Sequence, residues 1–414
     1  MSKTLCILPW IHMYVNADGS VLPCCIGDYK HPLGNTHNRS IEDIWNSHEY
    51  KTLRKQLLNG GKPSICNQCW KHEEAGNTSS RMSNNKRFKE ELPLIKATNE
   101  DGSLDEMNLR YFDVRWSNIC NFKCRTCSST YSSNWAVEDN KQGANKPVYI
   151  FAGGDSNDNL YEQFKPHFKN IKVFYFAGGE PLMTDKHYDI LEHLIETGNT
   201  KVRLEYNSNV SKLKYKKKSI IDLWNQFEDV QVSASLDSYG PRAEYIRAGT
   251  DWDLITTNLK VIREQAPHVK ISFNTVVSIF NLCTLTDFLN EIQNVDPNSA
   301  SMYNIVDPHY YSVNALPEEY KTIALEKIQK YMNSNPGKYK WQLEGVVRYI
   351  ENSKFDESAL KQFRAKTQHY DLLEIKNLLI RFLNLKVYYR IWFFIRLYIS
   401  FVKKHIQPTL FHIK

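Results

Sequence analysis

Three cysteines lie within thirteen residues of this chain: SNICNFKCRTCSS, residues 117–129, sets Cys120, Cys124 and Cys127 in the pattern C-x3-C-x2-C. Thiolates are soft ligands for iron and zinc, and a loop this short can wrap three of them around one face of a metal centre. Zinc ligands commonly come as two separated C-x2-C pairs that complete a tetrahedron. On a cuboidal [4Fe–4S] cluster, by contrast, three thiolates leave one iron without a protein ligand, where a substrate or cofactor can bind. The spacing favours the cluster, with zinc plus a distant fourth ligand as the alternative.

Two further motifs carry polar groups suited to a ligand. FAGGEPLM (176–183) puts Gly178, Gly179 and Glu180 at the end of an apolar run; glycines let backbone approach closely, and the glutamate can accept from an ammonium group, although Gly-Gly also makes plain turns. SLDSYGPRAEYIR (235–247) carries Ser235 and, twelve residues on, Arg247. Five more cysteines cluster near the amino end: Cys6, Cys24, Cys25, Cys66 and Cys69. The Cys66-x2-Cys69 pair reads as a metal knuckle, and of the adjacent Cys24 and Cys25 only one is expected to face a metal. His12 and His31 read as structural, and Cys283, alone in IFNLCTLTDF, as a buried core thiol.

The elements that must hold these groups follow from the apolar pattern. Strand-like runs fall at 109–116, 172–179, 201–209, 229–237, 270–278 and 301–306, with helical periodicity between them, as in Lys186–Thr197 and Trp252–Gln265. This alternation predicts parallel βαβ units, six of which make an open, partial (β/α)6 barrel. Chemistry in such folds collects at the carboxyl ends of strands, where Cys120, Gly178–Glu180, Asn207–Asn209 and Asp237 all fall. Residues 1–75 form a small cysteine-rich domain with a β-hairpin around ADGSV, 76–108 a polar linker, 109–315 the α/β core, and 316–414 a helical extension. No internal repeat is present.

The C-x3-C-x2-C after a first strand and GGEP after a second resemble the radical S-adenosylmethionine (SAM) superfamily. The resemblance covers most of 110–310. It implies that Cys120, Cys124 and Cys127 bind the cluster and that SAM chelates the open iron through its amino and carboxylate groups. It also implies that Gly178, Gly179 and Glu180 receive the SAM amino group, that Ser235 bonds the ribose, that Arg247 pairs with the carboxylate, and that Asn209, in the NSN run, shapes the pocket. Thr126 departs from the family's usual aromatic residue before the third cysteine, which bears on the adenine contact. The amino-terminal order C…G-x4-C…C-x2-C, with Gly19 and Cys24 forming the middle part, is similar to a twitch or SPASM-type auxiliary domain. That likeness implies an auxiliary [4Fe–4S] cluster on Cys6, Cys24, Cys66 and Cys69; the same four thiolates also suit zinc. Such domains usually follow the barrel, and here it precedes.

The function expected is reductive cleavage of SAM and hydrogen abstraction from a peptide, sugar or nucleotide, fed by a one-electron reductant such as flavodoxin or ferredoxin. A non-catalytic iron–sulfur protein and a zinc-stabilised interaction module are the other classes. The 414 residues carry a formal charge of +7, a mild excess that does not call for nucleic acid. Nine cysteines without a signal-peptide pattern point to a reducing, cytoplasmic setting. Aromatic and apolar residues with interspersed Arg381, Lys386, Arg390 and Arg396 over 378–402 form an amphipathic helix suited to a partner or an anionic membrane surface.

Overall fold

The computed structural model describes residues 3–74, 78–141, 143, 149–150, 155–293, 300–304 and 308–384. Residues up to 274 belong to one compact unit; 275–293 and those from 300 onward belong to a second. The strands in chain order are β1 (His12–Val15), β2 (Ser20–Leu22), β3 (Gly34–Asn35), β4 (Tyr111–Val114), β5 (Lys123–Cys124), β6 (Val173–Phe176), β7 (Arg203–Ser208), β8 (Lys214–Tyr215), β9 (Lys218–Ser219), β10 (Asp229–Ser235), β11 (Arg247–Ala248), β12 (Lys270–Val277) and β13 (Ala300–Asn304). The six strands expected of the core are β4, β6, β7, β10, β12 and β13.

In the first unit, β4, β6, β7, β10 and β12 run parallel, each bonded to the next. Their helices follow from cap and periodicity. Asp251 accepts from Leu254 N–H at 3.0 Å and starts Trp252–Gln265, which buries Ile255, Leu259 and Ile262, three and four residues apart. Asp185–Glu196 buries Tyr188, Leu191 and Leu194 in the same way.

A parallel sheet covered on both faces normally reads as an unbroken apolar run. Here β7, β10 and β12 alternate instead. Leu204, Tyr206, Val230, Val232, Ile271 and Phe273 are buried, while Glu205, Asn207, Ser233, Ser235, Ser272 and Asn274 occupy the other, partly open face. That face carries a polar ladder: Asn274 donates to Asn207 at 2.8 Å, Asn207 to the Tyr175 hydroxyl at 2.6 Å, and Ser233 and Ser272 are 2.8 Å apart. The sheet therefore has one apolar side under helices and one side that can line a polar cavity.

The ADGSV hairpin is present as β1 and β2, with Gly19 at φ +79°, a left-handed turn position that suits glycine. It is not a separate layer, however. β1 pairs parallel with β4, His12 opposite Tyr111 through Val15 opposite Val114, so the amino-terminal segment extends the core sheet at its first strand. The stretch 76–108, polar enough to read as a linker, holds the helix Ser80–Arg87 and the 3-10 turns Lys89–Ala97. Its polar side chains tie down the amino end: Asn85 accepts from Ile7 N–H at 2.8 Å, and Arg81 and Asn85 donate to the Leu5 carbonyl at 2.7 Å. Arg54 is fully buried, donating to the Pro9 carbonyl at 2.9 Å beneath the rings of Trp45 and Tyr50.

In the second unit, Glu318–Ser334, Lys340–Glu351 and Glu357–Asn384 are helical, as expected of the carboxyl region. Cys283 is half-buried rather than a core thiol: its Sγ lies 3.6 Å from the Tyr320 carbonyl. Most of the amphipathic helix expected over 378–402 lies outside the described residues. Among those described, no helix is long and apolar enough to cross a membrane.

Two buried imidazoles set an acid limit on this fold. His12 bonds the Tyr111 carbonyl at 2.9 Å and His187 the Tyr206 hydroxyl at 3.0 Å; burial holds their pKa values down to about 4 and about 3. Below pH 6.5 the unfolded chain takes up protons at these rings that the folded chain refuses. Their contribution is therefore complete above that pH and is lost as pH falls towards 4. At pH 5 each costs about 2 kcal/mol. His187→Gln is expected to shrink the fall in urea midpoint between pH 7 and pH 5; an equal fall in wild type and variant would contradict this.

Candidate functional site

The cysteine loop is pinned through its backbone from two sides. On one side, Glu180 N–H donates to the Ile119 carbonyl at 2.7 Å and Gly179 N–H to the Ser117 carbonyl at 3.3 Å. A Cβ on Gly179 would stand 2.1 Å from the Ile119 oxygen, so only glycine admits this approach. On the other side β5 pairs antiparallel with β11, setting Cys124 opposite Arg247, and Arg125 N–H donates to the Ile246 carbonyl at 2.9 Å. Ser132 caps the Phe122 carbonyl at 2.8 Å and Trp135 the Cys124 carbonyl at 2.8 Å, which satisfies the loop's inner polar groups.

The result is a cavity of about 330 Å³ at the carboxyl ends of the strands. Cys120, Cys124 and Cys127 line it together with Thr126, Gly178, Gly179, Glu180, Asn209, Ser235 and Arg247. Thus the three core cysteines, Gly178, Gly179, Glu180, Asn209, Ser235 and Arg247 all reach one space, while Asp237 stands behind Arg247 and does not line it.

Electrostatics in the cavity follow from burial. Cys120 and Cys124 are pushed up to about 12 and Cys127 is raised, chiefly by desolvation; Arg247, whose Nη1 points at Cys124 Sγ from 3.8 Å, opposes this at Cys124 and Cys127. Burial therefore favours the protonated form of these thiols. Arg247 Nε is held 2.8 Å from the buried Asp237 carboxylate, which fixes the fork beside the thiols. Glu180 is buried and accepts from Ser208 Oγ (2.8 Å), Asn209 N–H (2.8 Å) and Leu182 N–H (3.2 Å). Those donors favour the carboxylate, yet desolvation outweighs them and lifts its pKa to about 7.

Cys6, Cys24, Cys66 and Cys69 form a second group. Burial raises Cys6 and Cys66 to about 12, and each of them feels the charge of Cys69; Cys24 is raised well above its usual value by burial, then by Cys25, Cys6 and Cys66. The Cys24–Gly27 turn is docked there by Asp28 N–H donating to the Ile65 carbonyl at 3.0 Å. Of the adjacent pair, Cys24 sits among these thiols and Cys25 lines the core cavity instead. His31 is exposed and pairs with Asp28. Among the described residues, no three or more His, Cys, Asp or Glu side chains converge as around a single metal ion.

Other wall residues went unnoticed in the sequence: Tyr14, Tyr29, Arg115, Tyr131 and Tyr175; Asn207, read there as a strand-end residue, also lines the wall. Arg115 and Tyr175 lie at the carboxyl ends of β4 and β6, where the strand-end rule applies. Tyr14 reaches the cavity only because β1 joins β4, a pairing of segments 99 residues apart with no local signal.

Residues 114–292 match the radical SAM superfamily, and residues 6–70 match an iron-sulfur cluster-binding domain, SPASM. Residues 114–292 are thus a radical SAM superfamily domain, preceded by a SPASM domain over residues 6–70. The superfamily domain takes a [4Fe–4S] cluster and SAM, and the SPASM domain takes auxiliary iron–sulfur clusters. The structure is similar to native anSMEcpe with bound AdoMet and Cp18Cys peptide over 54% of this chain and 60% of that chain, at 16% identity and a TM-score of 0.39. It is also similar to Streptococcus suis SuiB bound to precursor peptide SuiA over 79% of this chain and 69% of that one, at 14% identity and a TM-score of 0.37. The match thus spans less than two thirds of the anSMEcpe chain. No curated protein matches the sequence.

The Gly179 contact is directly testable. Gly179→Ala must push the 117–120 backbone away and is expected to lower stability by about 1–3 kcal/mol in urea unfolding. Gly345→Ala, on the helix Lys340–Glu351 with open space around its Cα, is expected to leave stability unchanged or raise it. Equal effects of the two would contradict the account.

Proposed function

We propose that this chain is a SAM-cleaving enzyme in which Cys120, Cys124 and Cys127 hold the catalytic [4Fe–4S] cluster in the core cavity. The observation that carries the reading is the meeting of the three thiols with Gly178–Glu180, Ser235 and Arg247 around one space. When bound, the cluster and SAM would supply one-electron reductive cleavage of SAM and hydrogen-atom abstraction from the substrate.

The chain's own groups bind and orient. Gly178 and Gly179 leave room for the SAM amino group against backbone, and Glu180 faces it with a carboxylate fixed by three donors. Arg247, steadied by Asp237, offers its remaining N–H groups to the SAM carboxylate. Ser235, at the end of β10, bonds the ribose, and Asn209, whose Nδ2 donates to Asn121 at 2.9 Å, holds the cysteine loop against the pocket wall. The side walls limit water around the reacting groups.

Cys6, Cys24, Cys66 and Cys69 are the ligands of the auxiliary cluster, whose best role with all four irons ligated is electron transfer. Residues 1–75 are then the auxiliary domain, 76–108 the connection, 109–315 the catalytic core and 316–414 the helical extension. The substrate is a peptide or small molecule and the reductant a flavodoxin or ferredoxin type donor; cysteine usage favours a reducing, cytoplasmic setting.

Anaerobically reconstituted wild type is expected to form 5′-deoxyadenosine from SAM with dithionite, and Cys124→Ala to form at least about 100-fold less, a loss of about 2.7 kcal/mol in transition-state terms. Cys283→Ala, outside the cavity, serves as the control. Turnover by Cys124→Ala at the wild-type rate would overturn the reading.

A further inference from the structure

The cavity wall includes side chains that the proposed SAM contacts do not use. Arg115 lies at the end of β4 on the cavity wall, its side chain 9% exposed. Asp113, wholly buried, grips one edge of the guanidinium, with Nε 2.9 Å from Oδ1 and Nη2 donating to Oδ2 at 3.2 Å. The fork's carbon sits 5.5 Å from the Tyr14 ring centre and 5.0 Å from that of Tyr175. The Tyr29 hydroxyl is 3.0 Å from that of Tyr14 and is hydrogen-bonded to Tyr131. A guanidinium has five N–H donors, of which a bidentate carboxylate takes two. A third partner is the Tyr175 hydroxyl, and the remaining donors belong to a side chain that borders the cavity.

Holding a cation this deep costs desolvation, which a carboxylate on one edge and two aromatic faces offset. A purely structural ion pair would be expected to sit away from open space; this one borders the cavity and is ringed by hydroxyls. On the wall of the same cavity, Arg247 is committed beside the thiols and Glu180 already receives three hydrogen bonds. Arg115 is therefore the cation left to receive a second ligand.

We infer that Arg115, framed by Tyr14, Tyr29, Tyr131 and Tyr175, binds an anionic group of the substrate, a carboxylate or a phosphate. The inference deepens the proposed function and rests on it in one respect, that the reacting substrate occupies this cavity. The Tyr14 hydroxyl donates to Asn16 and that of Tyr29 to Tyr14 and the Cys25 carbonyl, whereas the Tyr175 hydroxyl accepts from Asn207 and keeps its proton for the same anion; the rings give a flat, amphipathic wall for the body of the molecule. Two of the walls, Tyr14 and Tyr29, come from the amino-terminal segment, so that segment shapes substrate choice as well as carrying thiols.

The test is calorimetric titration of the reconstituted protein, saturated with SAM, with inorganic phosphate in one arm and acetate in the other. Saturable binding of at least one is expected, and the arm that binds names the substrate's anionic group. Asp113→Asn with Arg115→Gln removes both buried charges together and is expected to weaken that binding by about tenfold or more, about 1.4 kcal/mol. Should the double variant not fold, Arg115→Lys replaces it; the loss of the fork is then expected to weaken binding several-fold. No saturable binding of either anion, or affinity unchanged by these substitutions, would overturn the inference. A protein that binds neither anion but still changes its spectrum with SAM loses this inference alone. One whose anion binding depends on Arg115 but whose spectrum ignores SAM loses the proposed function alone.

Discussion

The contact between Gly179 and the backbone at Ile119 is the constraint on which the site depends. It joins the end of β6 to the cysteine loop through peptide groups, with no side chain between them. Any Cβ at 179 would occupy space already filled by a carbonyl oxygen. Because β5 and β11 grip the same loop from its other end, the positions of Cys120 and Cys124 are set by the sheet and not by the loop's own preferences. A loop held this way can present buried, protonated thiols at fixed positions before any metal arrives.

The same sheet explains why the cavity is polar. Alternation along β7, β10 and β12 sends apolar residues beneath the helices and amides, hydroxyls and carboxylates to the other face. Those polar groups satisfy one another through the Asn274–Asn207–Tyr175 chain, so the face is stable without being apolar. Arg115 and Arg247 each stand on a buried aspartate, Asp113 and Asp237, which lets two cations border a single small space.

Much of this was legible in the sequence because it is written locally. Strand-end placement of Cys120, Gly178–Glu180 and Ser235 follows from short apolar runs, and the alternating units from periodicity. What was not legible depends on distant pairing. The junction of β1 with β4 puts Tyr14 in the cavity, and the turn after Cys24 directs Cys25 to it, yet neither segment carries a pattern that names its partner. The helix Ser80–Arg87 was hidden for a related reason: its polar residues read as solvent-loving, whereas Arg81 and Asn85 each give a donor to the Leu5 carbonyl and Arg81 gives two more to Glu73. Cys283 misled because a lone cysteine in an apolar context carries no information about the carbonyl beside it.

The central claim is that the three thiols leave one iron for SAM to chelate within this cavity. Pulsed EPR of the reduced, reconstituted protein with SAM carrying 15N at its amino group tests it most directly. The account predicts a 15N hyperfine coupling to a reduced [4Fe–4S] cluster that disappears when unlabelled SAM is used. A spectrum without that coupling, in protein shown to have bound SAM, would contradict it.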